Sequence, residues 1–429
     1  MHDRARLALW LSSSLLLASC APASGPRTGV AGVTLGAFGT PAVGVDVVFH
    51  RPDGSVLTHV QTDATGRAAA TLQAGGLITV AQYQAGTTNR WQLTTIAGVE
   101  PGDELGLGGP PYGGSLTGSA QVTYPGPLAG ATQFSVNLGC NGSSWVAAAD
   151  PVAIPIVSTC AGSLDAMATA LDSSGALAGW AVATAVPVTG AAPDLAASVN
   201  LGAWRTDLGS MVLSLANPHA SAASAYATLS LQRGGWRYAD SGAATVLAPP
   251  AAADLSFSFA KDFATAPRLT ALVSYEAPFL QARSQFIDNQ SPLADRTIDL
   301  GALPPLLGGL QIDPSGAGFR AAWTQAGPDD KLDGTILQVD WSVGNDAHSW
   351  RVAMPPGRTS FQLPLLPAAL SAFSPAPETA FTSASVDTYD LSTAASYRDF
   401  RGGHLYLLDW ALPAQGAWTI RSAGTSTVF

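Results

Sequence analysis

Lysine is nearly missing from this chain: Lys261 and Lys331 are the only two in 429 residues. Charged residues of both signs make up only 12% of it, against about 25% in an ordinary globular protein. Lys and Arg together number 20 and Asp and Glu 30, a net charge of −10 with no basic run. Such a surface repels a nucleic-acid backbone, so no DNA or RNA partner is expected. The six histidines, at 2, 50, 59, 219, 348 and 404, show neither HExxH nor HxH spacing, which argues against a zinc hydrolase. The chain has no GxSxG elbow, and no lysine follows a glycine, which removes the signals of a serine nucleophile and of a phosphate-binding loop. Gly106, Gly108 and Gly109 run into Pro111 with no helix after them, so they do not form a dinucleotide loop. No cofactor, metal or catalytic residue is expected, and no long amphipathic helical period occurs.

What the chain does have is turns and apolar residues: 45 Gly, 30 Pro and 47% apolar content. Its length suits two to four domains, each able to bury a core. Strand-like runs broken every 8 to 12 residues point to an all-β architecture of tandem β-sandwiches.

The first twenty residues, MHDRARLALWLSSSLLLASC, place Arg4 and Arg6 before an apolar run at 7–17 that is too short to span a bilayer. This is the pattern of a cleaved secretory signal, residues 1–19. Leu17, Ala18, Ser19 and Cys20 resemble the lipobox of bacterial lipoproteins. The resemblance implies that Cys20 is acylated and becomes the mature N-terminus. The alternative is an ordinary signal peptide cut nearby, which would leave Cys20 as a thiol. Each buried CH₂ of an acyl chain is worth about 0.8 kcal/mol, so two or three chains hold a protein firmly to a membrane. Ala21 and Pro22, where an Asp would favour inner-membrane retention, imply the outer membrane, with 20–29 as a lipidated tether. Loss of Asp3, Arg4 and Arg6 with the leader takes the net charge from −10 to −11, so the lipid and not electrostatics would make the membrane contact.

Cys140 and Cys160 remain, and an even pair in an exported chain reads as a disulfide. Its loop of about 20 residues is worth about 3 kcal/mol in the chain-entropy model. Two free buried thiols and a metal site are the other readings, the latter lacking any nearby histidine.

Four units are expected after the tether, at 30–109, 119–192, 195–300 and 306–429. In the first, strands at 45–49, 55–62, 67–72 and 77–83 are separated by turns at 52–54, 63–66 and 75–76, and residues 45, 47 and 49 form one apolar face. The succession GVDVVFHRPDGSVLTHVQTDATGRAAATLQAGGLITVAQY resembles the carboxypeptidase regulatory-like or bacterial Ig-like module. That resemblance implies a small transthyretin-like sandwich and no activity of its own. The boundaries rest on Gly- and Pro-rich segments at 106–118, 190–193 and 301–305. The uncharged run 176–193 reads as buried strand and not as a membrane span. The last unit loosely resembles a fibronectin type III-like sandwich. It carries Trp323 and Trp341, a segment 365–373 read as either strand or one short helix, and a hairpin through Gly402 and Gly403 joining strands near 405–410 and 418–420.

Sites for ligands are sparse. His50 and His59 flank one turn and are expected to face each other across the hairpin as a solvated pair. Asp329, Asp330 and Asp333 lack the DxDxDG spacing of a calcium loop and read as a solvated turn. Asn141 and Asn289 match the glycosylation sequon by chance in a bacterial chain. The ten tryptophans beyond the leader are dispersed as core residues, with Trp236 and Tyr238, beside Gly234 and Gly235, as the candidate ligand-facing pair. The reading is a membrane-anchored lipoprotein with a non-catalytic structural or adhesive role. The alternative is a carbohydrate- or polymer-binding lipoprotein that supports an uptake or degradation system. A protein or glycan partner is left open.

Overall fold

The computed structural model describes residues 26–429 apart from 38–39, 85–86, 108–115, 141–142, 147–150, 158–159, 192–193, 234–235, 265, 278–280, 290–292, 316–317, 328–330, 406 and 408–416. Cys20 and the leader lie outside the described residues, as does most of the segment 106–118.

The chain is all-β, and its local structure follows from turn chemistry. The strands Asp46–His50, Val56–Gln61, Arg67–Gln73 and Gly76–Gln84 form where the alternation places them. Three aspartates fold the hairpins in the same way. Asp53 accepts both the N–H and the O–H of Ser55 (2.9 and 2.7 Å). Asp63 accepts the N–H and O–H of Thr65 (2.8 and 2.6 Å), and Asp172 those of Ser174 (2.8 and 2.6 Å). These hydrogen bonds, the hydroxyls first, hold all three carboxyls below their ordinary range. At the end of the Asp63 turn Gly66 has φ of +74°, and a Cβ there would lie 2.3 Å from the Leu35 carbonyl oxygen. Only glycine fits.

Six sheets among the described residues make the sandwiches. The strand Thr28–Ala37, with Thr40–Pro41, Arg67–Gln73 and Glu104–Leu107, forms one cover sheet. A second sandwich packs Leu116–Thr123, Val152–Val157 and Leu195–Asn200 over Ala131–Asn137, Ser143–Val146, Gly162–Asp172 and Leu177–Val188. The Cys140–Cys160 disulfide is formed within it. The two remaining covers are Leu208–Ala216 with Ala253–Ala260 and Arg296–Asp299, and Leu307–Ser315 with Gly318–Gln325 and Ser360–Gln362.

Three of these covers pack on one sheet of twelve strands. From edge to edge its order is Trp236–Val246, Ala222–Arg233, Ala266–Tyr275, Ala282–Asp288, Thr419–Val428, Phe381–Leu391, Gly334–Val343, Asp346–Met354, Arg90–Val99, Gly76–Gln84, Asp46–His50 and Val56–Gln61. Segments far apart in the chain are thus joined by backbone hydrogen bonds at two places. Ala282–Asp288 runs antiparallel to Thr419–Val428, from Ala282 opposite Thr425 to Asp288 opposite Thr419. Asp346–Met354 runs parallel to Arg90–Val99, from Ala347 opposite Arg90 to Ala353 opposite Ile96.

The middle of the long sheet is covered on both faces. Val47 and Phe49 pack with Ala31, Val33 and Leu72 on one side, while Val48 packs with Leu310, Phe319 and Trp323 on the other. The single apolar face expected at 45, 47 and 49 is therefore one of two. A strand sealed on both sides reads as a continuous apolar run, as in LITVA of Gly76–Gln84.

At the C-terminal end the structure corrects one expectation. Gly402 and Gly403 close a helix, Tyr397–Gly403, in place of a hairpin turn. Ser396 caps it by accepting the Asp399 N–H, and Asp399 in return accepts the Ser396 hydroxyl (3.0 Å) and the Ala395 N–H (3.1 Å), a reciprocal cap of the capping-box kind. Leu405 and Leu407 are buried outside any strand, and residues 408–416, with Trp410, are outside the described residues. Of the two readings of 365–373, the structure takes the helical one, as the 3-10 segment Ala368–Phe373.

The antiparallel junction is held by an ion pair that reaches over a glycine. Arg283 and Asp387 both stand opposite Gly424, on the strands to either side of it. The Arg283 Nη2 donates to Asp387 at 3.0 and 3.1 Å. Burial pushes the Asp387 carboxyl up and Arg283 draws it back. A Cβ on Gly424 would lie 1.9 Å from Asp387 Oδ1. Gly424→Ala is expected to separate the pair and cost about 2–3 kcal/mol, somewhat below a fully buried pair because Arg283 is partly exposed. A urea midpoint unchanged from the parent would contradict this.

Candidate functional site

The feature that gathers the most aromatic and titratable side chains lies across the parallel junction. Tyr83, Trp91, His348, Trp341 and Phe381 occupy facing register positions on five successive strands. Their rings follow one another at centroid distances of 4.5, 5.8, 5.2 and 6.2 Å. His348 stacks between the two indoles, at 6° to Trp91 and 21° to Trp341. Phe373 meets the Trp91 ring edge-on at 4.8 Å. Cross-strand aromatic pairs of this kind are among the strongest in sheets. Asp346 fixes the near end, accepting the Trp91 Nε1–H at 3.1 Å and an Asn89 Nδ2–H at 3.0 Å. His348 is buried, and burial lowers its pKa while Asp346 works in the opposite sense.

A polar chain runs beside this ladder in the same layer. The Trp350 Nε1–H donates to Thr95 Oγ1 at 2.9 Å, Thr95 and Thr79 share a hydroxyl hydrogen bond at 2.8 Å, and Thr79 Oγ1 lies 2.9 Å from His50 Nε2. Trp350 is donor-only. The hydroxyls of Thr95 and Thr79 thus link Trp350 to His50, whose Nδ1 is buried without a hydrogen-bond partner. Burial lowers the His50 pKa from 6.5 to about 4.

On the opposite face the helix Tyr397–Gly403 lies over the same junction. The Tyr397 hydroxyl is within donating distance of the carbonyls of Ala97 (2.7 Å) and Ala353 (3.1 Å), one from each strand. Arg401 donates to the Gly98 carbonyl at 2.6 Å and pairs with Asp103 at 2.7 Å, both side chains buried.

The residues singled out in the sequence fare differently. Tyr238 is 1% exposed, a correction to its expected ligand-facing role. It meets Phe263 edge-on at 5.1 Å and lies against Gly139, where a Cβ would fall 2.5 Å from its hydroxyl. The pull of a sealed junction between the second and third sandwiches outweighs the exposure that the Gly234 and Gly235 pair suggested in the sequence. Trp236 begins the edge strand, and its side chain is outside the described residues. His50 and His59 do not face each other: His50 is opposite Val56 and His59 opposite Val48. His50 turns into the core, while His59 pairs with Asp46 at 2.9 Å. Asp329, Asp330 and Asn141 are outside the described residues. Asp333 is no solvated turn residue, because it is buried and accepts the Leu391 N–H at 2.8 Å. Asn289 is buried as well. Among the described residues no three His, Cys, Asp or Glu side chains come together as a metal site.

No family model matches the chain, and no curated protein matches it. Among solved structures it is similar to the TIE protein of Bacillus anthracis at 9% identity and a TM-score of 0.15, over 63% of this chain and 50% of that one. It is also similar to a streptococcal ancillary pilin (7%, TM-score 0.17, 64% of this chain and 98% of that one). A third is BcpA, the major pilin subunit of Bacillus cereus (10%, TM-score 0.16, 64% and 99%). The chain spans half the length of the first of these. Likeness at this level carries no argument about function.

The polar chain gives a pH dependence of stability. Folded His50 holds a proton less readily than the unfolded residue, so its contribution is fully present above pH 6.5 and is lost as pH falls towards 4. The shift corresponds to about 3 kcal/mol. The stability difference between pH 7 and pH 4.5 is expected to shrink in His50→Gln, measured by urea denaturation. An equal loss in parent and variant would contradict this.

Proposed function

We propose that this chain is an exported structural arm or adhesin without catalytic activity, held at the outer membrane by acyl chains on Cys20. The observation that carries the reading is where its indoles go. Trp180, Trp323, Trp341, Trp350 and Trp418 are buried, and Trp91 and Trp204 half-buried. Those at the junctions are already engaged: Trp91 has Tyr83 and His348 on either side, and Trp180 has Phe263 and the Arg205 guanidinium. A ring already packed between neighbouring side chains is not available to stack on a sugar. Among the described residues the carbohydrate-binding alternative would rest on the exposed tyrosines Tyr83 and Tyr226, which lie on strands far apart in the long sheet. The leader and the lipobox resemblance support anchoring, and the acidic balance suits a surface kept soluble outside the cell.

Two outcomes test the reading. Cys20→Ala is expected to move the protein from the membrane to the soluble fraction, and unchanged membrane association would refute the anchor. The soluble part, residues 21–429, titrated with soluble glucans, xylan and peptidoglycan fragments, is expected to show no saturable change in tryptophan fluorescence. A saturable change would replace the structural reading with the carbohydrate-binding one.

A further inference from the structure

The long sheet has two junctions between segments distant in the chain, and their chemistry differs. The parallel one, Arg90–Val99 against Asp346–Met354, has a buried histidine in its aromatic ladder and a second at the end of its polar chain. The antiparallel one, Ala282–Asp288 against Thr419–Val428, has no histidine and is bridged by Arg283 and Asp387.

We propose that the parallel junction is an acid-sensitive joint, at which the N-terminal sandwich separates from the C-terminal unit in mild acid while the antiparallel junction stays closed. The geometry provides the trigger. His50 is fully buried, with Nε2 hydrogen-bonded to Thr79 Oγ1 and Nδ1 without a hydrogen-bond partner. Protonated, the ring carries an N–H on both nitrogens: Nε2 can then only donate to Thr79, and Nδ1 holds a buried N–H without an acceptor, so protonation disturbs the chain to Thr95 and Trp350. No charged side chain acts on His50 to compensate the new charge.

His348 takes its proton between two indoles. Their faces offset part of the cost by cation–π attraction, and Asp346, two residues before it, is the charged group that acts on it. Its Nδ1 has no acceptor within the protein. On the far face the charged groups at the junction are Asp103 and Arg401, with Arg358 acting on Tyr397. A parallel ladder is also slightly weaker per residue than an antiparallel one.

The other junction responds with the opposite sign. Burial raises the Asp387 carboxyl above its ordinary value, so the folded state takes up that proton more readily than the unfolded chain. Acid does not disfavour folding on its account.

Hydrogen exchange of the full-length protein in detergent, followed from pH 7 to pH 4 and expressed as protection factors, tests this. Amides of Arg90–Val99 and Asp346–Met354 are expected to lose about tenfold or more in protection between pH 6.5 and pH 4. Those of Ala282–Asp288 and Thr419–Val428 are expected to hold. Equal loss at both junctions, or none at the parallel one, would overturn the proposal, and this comparison needs no variant. His50→Gln with His348→Phe keeps a hydrogen-bond acceptor and a ring in place while removing both titrating groups. The doubly substituted protein is expected to keep its parallel junction closed at pH 4. Opening at the same pH as the parent would equally overturn the proposal.

Discussion

The pairing of Arg90–Val99 with Asp346–Met354 is the contact on which the rest of this structure depends. Its two strands lie about 255 residues apart (Thr95 to Trp350, for example, at a separation of 255), and closing so long a loop costs about 5 kcal/mol before any contact is made. Burying one large aromatic ring, at about 200 Å² and about 25 cal/mol/Å², offsets a cost of that size. The junction has several, with Trp91, Trp341 and Trp350 on one face and Tyr397 and Phe400 on the other. Because the pairing is parallel and in register, it also sets which side chains meet. The ring ladder and the Trp350–Thr95–Thr79–His50 chain both exist only in this register.

The scarcity of charge has the same origin. In the middle of the long sheet both faces of each strand are covered, one by the N-terminal cover sheet and one by the sheet of Leu307–Ser315. Strands enclosed in this way have little place for lysine or glutamate. Several of the ions that remain inside are paired, as in Asp103 with Arg401, Asp387 with Arg283 and Asp288 with Arg296. Each of the first two links segments that the sequence places in different units. Charge is spent here on joints, and the exposed aspartates of the hairpin turns mostly serve the local backbone.

What was legible in the sequence was local. The strands and turns of residues 45–84 follow from alternation and from Asp-Ser, Asp-Thr and Gly chemistry. The pairing of Cys140 with Cys160 follows from an even count once the leader is read as an export signal. The junctions were not legible, because a strand's pattern records that its faces are buried and not what buries them. His348 is one polar residue in an otherwise ordinary strand, and its place between Trp91 and Trp341 depends on a partner far away in the chain. Two signals were available and outweighed. The unbroken apolar run in Gly76–Gln84 points to a strand covered on both faces, and Ser396 with Asp399 three residues later points to a helix start where Gly402 and Gly403 suggested a hairpin. Tyr238 shows the reverse error, since a Gly-Gly pair marks a turn without saying whether the turn lies at the surface.

The central claim, that the N-terminal and C-terminal segments form one sheet, is tested most directly by a distance across the parallel junction. Thr88 and Asn345 are exposed positions at the same end of the two strands. Thr88→Cys with Asn345→Cys in the soluble part, spin-labelled and measured by double electron–electron resonance at pH 7, is predicted to give one short, narrow distance distribution. A broad or long distribution, as from sandwiches strung on flexible linkers, would contradict the account.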